Sequence, residues 1–431
     1  MVVVIGGGLA GAEASLQLAK RGIKVTLYEM RPDVMTPAHK TKELAELVCS
    51  NTFGSIELST GAGLLKKELE TLSCELLRVA KEFSVPAGSA LAVDRELFSK
   101  KVTKLIEENP LIELKREEVK SLPKEGFVIV ATGPLTSQAL QEDILKLVEH
   151  KNLYFYDAIS PIVDASTVDY SKGFWGSRYS KGNGDYFNCT LTREEYENFY
   201  KELLNSSQVP LKDFEKPVFF EGCMPIEELA KRGPKTLLFG PMKPVGLKDP
   251  KTDKRPYAIV QLRRENIHGT LLSLVGFQTR MTYSEQKRVL RLIPCLKDAV
   301  FVKLGSMHRN TFLQSNRVLT PFLNLRKDRN IFFAGQITGA EGYTSALATG
   351  LMCAINVSRM LKGLESTVAP PETMIGSLIR HITTKEGTLQ PVAPVMGLLP
   401  PLENPPRDRI EKNIKLSERA LSALQNWLKD V

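Results

Sequence analysis

Val2-Val3-Val4-Ile5-Gly6-Gly7-Gly8-Leu9-Ala10-Gly11 opens the chain, and its reading decides the fold. The short apolar run ending in glycines reads as a buried strand of a parallel sheet. In Gly6-x-Gly8-x-x-Gly11 the first glycine permits a tight turn, the second lets backbone approach a pyrophosphate, and the third lets the next helix pack closely. That helix carries Leu9, Ala12, Leu16 and Ala19 on one face, has Gly22 at its C-terminal cap, and offers its N-terminus to an anion. A second strand, residues 23–28, ends at Glu29, whose carboxylate can accept both hydroxyls of a ribose. Strand, glycine turn, helix, strand and acid in this order predict a dinucleotide-binding βαβ unit rather than a packing turn.

Outward from this unit, two more strand ends carry the same kind of signal. One is residues 127–131 followed by Thr132-Gly133; the other is Ile331-Phe332-Phe333-Ala334 followed by Gly335-Gln336 and a helix from about Gly342 to Leu361. Strand ends returning to the cofactor from further directions favour FAD over NAD. No second GxGxxG is present, so a separate NAD(P)H domain is not expected. One long amphipathic helix is predicted over residues 60–84, another after Asp94, and a Thr192-x-x-Glu195 capping box starts a third. The last stretch places Ile410, Ile414, Leu421, Leu424 and Leu428 on one helical face. The middle differs in texture, being rich in Tyr, Phe, Pro and Lys. The expected fold class is therefore α/β: a Rossmann-like FAD-binding domain of glutathione-reductase type, discontinuous over residues 1–155 and 315–431, with an inserted α/β substrate- or RNA-binding domain at 156–314.

With 431 residues, two or three domains are expected, and 42% hydrophobic with 25% charged residues is the balance of a soluble globular chain. A strand beginning at Val2 leaves no room for a signal peptide, and no run of about 18 apolar residues follows. A cytoplasmic protein with no membrane partner is expected. Cys49, Cys74, Cys189, Cys223, Cys295 and Cys353 form no CxxC pair, which argues against a metal site and a small disulfide framework, leaving free thiols as the default. Much of the net charge of +9 is local: between Lys231 and Arg264, ten Lys or Arg stand against Asp249 and Asp253. Such a run suits a polyanion, or equally a solvated loop.

Cys49 and Cys223 are both followed by turn-forming residues, where a thiolate could be presented, although each is also readable as a small buried hydrophobe. His308 and Arg309 precede the return to the cofactor half and could touch ligand or serve a domain junction. Trp175, Tyr179 and Tyr186 are expected in the core rather than on a base-stacking surface.

Several segments are more specific than any of these: Tyr28-Glu29-Met30-Arg31-Pro32, Ala45-Glu46-Leu47-Val48-Cys49-Ser50-Asn51, Phe219-Phe220-Glu221-Gly222-Cys223-Met224-Pro225, Leu238-Phe239-Gly240-Pro241-Met242 and Met307-His308-Arg309-Asn310. With them the chain, from Val2 to about Leu399, closely resembles the folate- and FAD-dependent tRNA (uracil-5-)-methyltransferases, relatives of the GidA/MnmG flavoproteins. The resemblance implies C5-methylation of the T-loop uridine 54 of tRNA, with methylenetetrahydrofolate as donor, FAD hydroquinone as reductant, and NADPH or NADH to regenerate it. The same chemistry on ribosomal RNA, or a non-methylating RNA-binding flavoprotein, are the alternatives. It implies Cys223 as nucleophile and Cys49 as a second catalytic thiol, base or resolving group, since uracil C5 must be activated by thiolate addition at C6. Expected at the cofactor are Gly6, Gly7, Gly8, Leu9, Ala10, Gly11, Glu29, Arg31, Thr132, Gly133, Gly335, Gln336, Gly342 and Tyr343. Arg263, Arg264, Arg280, His308 and Arg309 are expected at substrate or at the T-arm of tRNA, with no metal and no obligate protein partner.

Overall fold

Val2–Ile5 forms the middle strand of a five-stranded parallel sheet in the order Ile331–Phe333, Phe127–Val130, Val2–Ile5, Val25–Tyr28, Ile112–Lys115. The structure, a computed structural model, describes residues 2–148, 153–180, 184–210 and 224–430. Every residue of the middle strand is buried, as an unbroken apolar run requires when both faces are covered. One face carries the helix Leu9–Lys20, with Tyr343–Leu361 packed across it. The approach is close enough that a Cβ on Gly350 would lie 2.3 Å from the Ala10 carbonyl oxygen. The other face is covered by Leu140, Ile144 and Val148 of the helix Gln138–Val148 and by Leu319 and Leu325.

The single helix predicted over residues 60–84 is instead two, Gly61–Thr71 and Glu75–Glu82, broken where Ser73 takes a φ of 57°. The second begins on a cap supplied from elsewhere: the buried Glu13 carboxylate accepts from Glu75 N (3.1 Å) and Leu76 N (2.8 Å). Glu68 does the same for the helix Met374–Thr384, accepting from Met374 N (2.6 Å) and Ile375 N (2.9 Å). Two helix starts are thus satisfied by side-chain carboxyl groups remote in sequence. The final helix, Arg409–Trp427, buries Leu416, Ser417, Ala420 and Leu424, while Ile410 and Ile414 stay exposed. Only its later turns meet the core.

Between residues 162 and 303 the chain builds a second, antiparallel sheet in the order Gly173–Trp175, Tyr186–Leu191, Ala258–Arg264, Leu271–Leu274, Ile162–Asp164, Phe301–Lys303. It has its own core, around Phe187, Phe199, Leu262 and Phe277. The capping box forms as expected at Thr192 and Glu195, starting the helix Arg193–Leu204. A two-stranded ribbon, Leu153–Ala158 with Met307–Phe312, takes the chain into this region and back.

Two expectations fail here. Cys189 and Cys295 form a disulfide, their Cα atoms 5.8 Å apart, because the strand bearing Cys189 runs beside the turn Pro294–Leu296. Trp175 and Tyr179 are not core residues; they are 40% and 57% exposed, on an edge strand and the loop after it, while Tyr186 is half-buried. Among the described residues no helix is long and apolar enough to cross a membrane, and no His, Cys, Asp and Glu group could hold a metal ion.

Candidate active site

A cavity of about 430 Å³ opens at the C-terminal ends of the parallel strands. Ligands of open α/β sheets bind at such ends. Its walls include Gly6, Gly8, Leu9, Ala10, Glu29, Arg31, Thr132, Gly133, Gly335, Gln336, Gly342 and Tyr343, together with Cys49 and Asn310. The glycine turn has the shape a dinucleotide needs. A Cβ on Gly11 would lie 1.9 Å from the Gly6 carbonyl oxygen, whereas one on Gly8 would meet nothing within 4 Å, so Gly8 faces open space at the helix N-terminus. Gly7 and Gly11 do not line the cavity but permit its wall.

Glu29 is fixed from both sides. One carboxylate oxygen accepts from Gly7 N at 2.8 Å; the other accepts from the Arg31 backbone at 3.0 Å and its Nε at 2.9 Å. Burial works against the charge, but the Arg31 and Gly7 contacts outweigh it and hold Glu29 below the ordinary carboxylate range. Arg31, itself buried, also pairs with Glu46 at 3.1 Å, so it orients the acid as well as lining the cavity. An acceptor at the end of the second strand, a glycine turn of this shape and a helix N-terminus fit the adenosine pyrophosphate half of FAD.

On the opposite wall Tyr343, first residue of its helix, clasps the segment that carries Cys49. Its hydroxyl accepts from Cys49 N (3.1 Å) and Ser50 N (3.2 Å) and donates to Ser50 O (3.0 Å). Its ring packs on Phe53 with centroids 5.5 Å apart. Burial, then the neighbouring Cys49, pushes its ionisation well above the usual phenol range, so the hydroxyl stays protonated. Gly335 (φ 82°) and Gly342 (φ 97°) supply the left-handed turns that bring this helix to the cavity, and Gln336 donates to Glu341 at 2.6 Å. Thr132 and Thr136 hydroxyls join at 2.7 Å across the remaining rim.

The other expected residues are distributed differently. Cys223 lies outside the described residues. His308 and Arg309 sit on the ribbon strand, paired in register with Asp157 and Tyr156, and their side chains lie outside the described ones. Arg280 does not line the cavity; its guanidinium pairs with Glu228 at 2.6 Å and its backbone N–H donates to Glu227. Arg263 and Arg264, neighbours on one strand, point to opposite faces. Arg263 is buried and donates to Asn51 at 3.0 Å, and only Arg264 reaches the surface.

Two residues with no signal in the sequence complete the Cys49 surroundings. Arg95 donates to the Leu47 carbonyl at 2.9 Å and pairs with buried Glu265 at 2.6 Å. Burial disfavours this cation, but Glu265, Tyr343 and Cys49 nearby hold its ionisation above the ordinary value. Arg95 follows the N-cap Asp94 and could be noticed only as a helix start; Glu265 lies just past the end of the strand Ala258–Arg264 of the second sheet.

The family model for glucose inhibited division protein A, GidA, matches residues 1–365. The chain belongs to the GidA family. Within the GidA family it is 62% identical over 429 residues to "Methylenetetrahydrofolate–tRNA-(uracil-5-)-methyltransferase TrmFO" of Aquifex aeolicus (strain VF5), covering 100% of this chain and 96% of that one. It is 61% identical to the protein of the same name from Sulfurihydrogenibium sp. (strain YO3AOP1), over 100% of this chain and 98% of the other. Among solved structures, GidA of Aquifex aeolicus in its form II crystal superposes with a TM-score of 0.70 at 19% identity, covering 99% of this chain and 73% of that one. At that identity the likeness shows the GidA fold. The α/β, Rossmann-like expectation therefore holds, and so does the resemblance to the tRNA-methylating branch.

Proposed function

We propose that this chain is a methylenetetrahydrofolate–tRNA-(uracil-5-)-methyltransferase acting on the T-loop uridine at position 54. Relatives about 60% identical, matched over 96–98% of their own length, carry that enzyme's name. The observation that carries the reading is the Tyr343 clasp, by which a cysteine is held on the wall of a dinucleotide-shaped cavity. The same reading divides the chain at the ribbon, into a cofactor-binding domain of residues 1–155 and 315–431 and a substrate domain of residues 156–314.

In this scheme the Cys223 thiolate adds to C6 of uracil, and the electron pair displaced to C5 makes that carbon a nucleophile. C5 bonds to the one-carbon unit as one of its two carbon–nitrogen bonds to folate breaks. A base, for which we assign Cys49, takes the C5 proton as the second carbon–nitrogen bond breaks, leaving a methylene on C5; reduction of that methylene returns an electron pair to C5, which expels the thiolate from C6. FAD, when bound as hydroquinone, supplies the hydride that reduces the methylene to methyl, and NADPH or NADH restores it. Tyr343 at Cys49 and Ser50, and Arg95 at the Leu47 carbonyl, hold the Cys49 segment against the cavity, and Glu29 with the glycine turn anchors the adenosine end.

Incubation of the flavin-loaded protein with unmodified tRNA transcript, methylenetetrahydrofolate and NADPH, followed by mass-spectrometric mapping, tests this. 5-Methyluridine at the T-loop position, absent with Cys223→Ala and Cys49→Ala, is expected. No methylation of tRNA by flavin-loaded protein refutes it.

A further inference from the structure

Gly173–Trp175 is an edge strand of the antiparallel sheet, and its last residue leaves a large ring in solvent. Trp175 and Tyr170 lie nearly parallel, at 19° with centroids 6.1 Å apart, and both rest edge-on against the buried Phe187. Both rings are about two-fifths exposed, at 40% and 39%. The Arg264 guanidinium stands over the Trp175 ring, 5.2 Å from its centroid. Four residues on, Tyr179 is 57% exposed with Lys243 over its ring at 6.0 Å, and it holds a left-handed φ of 58° that a non-glycine residue takes only under constraint. The Tyr179 N–H donates to the Gly246 carbonyl at 2.9 Å, and a Cβ on Gly246 would lie 2.8 Å from the tyrosine ring, so backbone and packing together fix how that ring is shown.

This face is wired to the cavity. The Asn51 side chain, two residues after Cys49, donates to the Arg264 carbonyl at 3.0 Å and accepts from Arg263 at 3.0 Å. One strand therefore turns Arg263 toward the Cys49 segment and Arg264 toward the exposed rings. The surrounding segment 231–264 is the most basic stretch of the chain.

Aromatic rings capped by cations, at an edge of strongly positive charge, match one ligand class best: unpaired nucleotides, whose bases have π-faces and whose phosphates are anionic. A duplex would engage the cations and leave the rings bare, and an apolar peptide would need no cations. We propose that Trp175, extended by Arg264 and flanked by Tyr179, is a stacking platform for unpaired tRNA bases next to the nucleotide that enters the cavity. This rests on the tRNA reading above. It makes Trp175 a residue that binds substrate and does no chemistry.

The chain has two tryptophans, so Trp427→Phe leaves Trp175 as the sole indole fluorophore in the holoenzyme. Titration of that variant with unmodified tRNA, with a gel-shift isotherm alongside, is expected to quench Trp175 emission with the same midpoint as binding. Trp175→Ala is expected to raise Kd and KM for tRNA roughly 5- to 100-fold with kcat little changed, the range of one base–aromatic stack, and Trp175→Phe to restore most of it. Arg264→Ala should lower the salt slope of binding by about one ion, whereas Trp175→Ala should leave that slope unchanged. Binding in the gel with unmoved emission, or wild-type KM in Trp175→Ala, overturns the platform and spares the tRNA reading. No tRNA binding in the gel overturns both.

Discussion

Replacing Tyr343 by Phe removes one oxygen and leaves a ring that still fits against Phe53. That oxygen makes three contacts: it takes the N–H groups of Cys49 and Ser50 and gives its proton to the Ser50 carbonyl, all between 3.0 and 3.2 Å. Each such bond contributes about 0.5–1.5 kcal/mol, and a partly buried N–H left without a partner costs about the same or more, so the Cys49 segment loses roughly 2–4 kcal/mol of preference for this conformation. If catalysis needs that conformation, kcat/KM falls by about 30- to 1000-fold. Overall stability changes less, because the Arg95 contact at Leu47 and the Asn51 contacts stay in place. The assay is steady-state methylation at varied tRNA, with flavin absorbance and the melting temperature measured on the same preparation. A Tyr343→Phe enzyme with full flavin content and kcat/KM within threefold of wild type would show that the hydroxyl does not hold the thiol for catalysis.

Gly11→Ala should yield protein with little or no flavin absorbance or a lowered melting temperature, because the new methyl would fall 1.9 Å from the Gly6 oxygen and the turn must open; a yellow, wild-type-stable variant contradicts the fit. Burial pushes Glu68 up to about 8 from 4.5, so between those values the folded chain keeps a proton that the unfolded chain has lost. Stability should therefore fall as pH rises through that window, with a contribution of up to about 1.4 kcal/mol per pH unit from Glu68; urea denaturation at pH 5 to 8 should show a flatter profile for Glu68→Gln, and equal slopes exclude the effect. Thiol titration of the denatured protein should gain at least two groups on reduction, because Cys189 and Cys295 are joined; a count of six before reduction removes the disulfide.

What the sequence disclosed is what neighbours in sequence decide. The glycine turn, the strand before it and the acid at the end of the next strand lie within the first 29 residues, and their contacts are short-range; the Thr192–Glu195 box is likewise complete within four residues. The misreadings share the opposite property. Nothing near Ser73 announces that Glu13 will cap a new helix at Glu75, so the residues 60–84 read as one. The disulfide joins positions 106 apart, and the Tyr343 clasp closes over 293 residues, beyond any periodicity.

Arg263 and Arg264 are an intermediate case, and the instructive one. As a basic dipeptide both read as phosphate ligands, yet adjacent residues on a strand face opposite ways, and this strand has the Asn51 side chain on one side and the exposed Trp175 ring on the other. Its first arginine is therefore a structural partner of the Cys49 segment and its second is a surface cation over an exposed ring. Composition could show that the segment is basic; only the sheet could show which charge is left at the surface. If RNA binding draws on Arg264 and the catalytic segment on Arg263, Arg263→Ala should reduce kcat more than tRNA affinity, and Arg264→Ala the reverse. Equal effects of the two substitutions on both quantities would show that the strand does not divide the roles in this way.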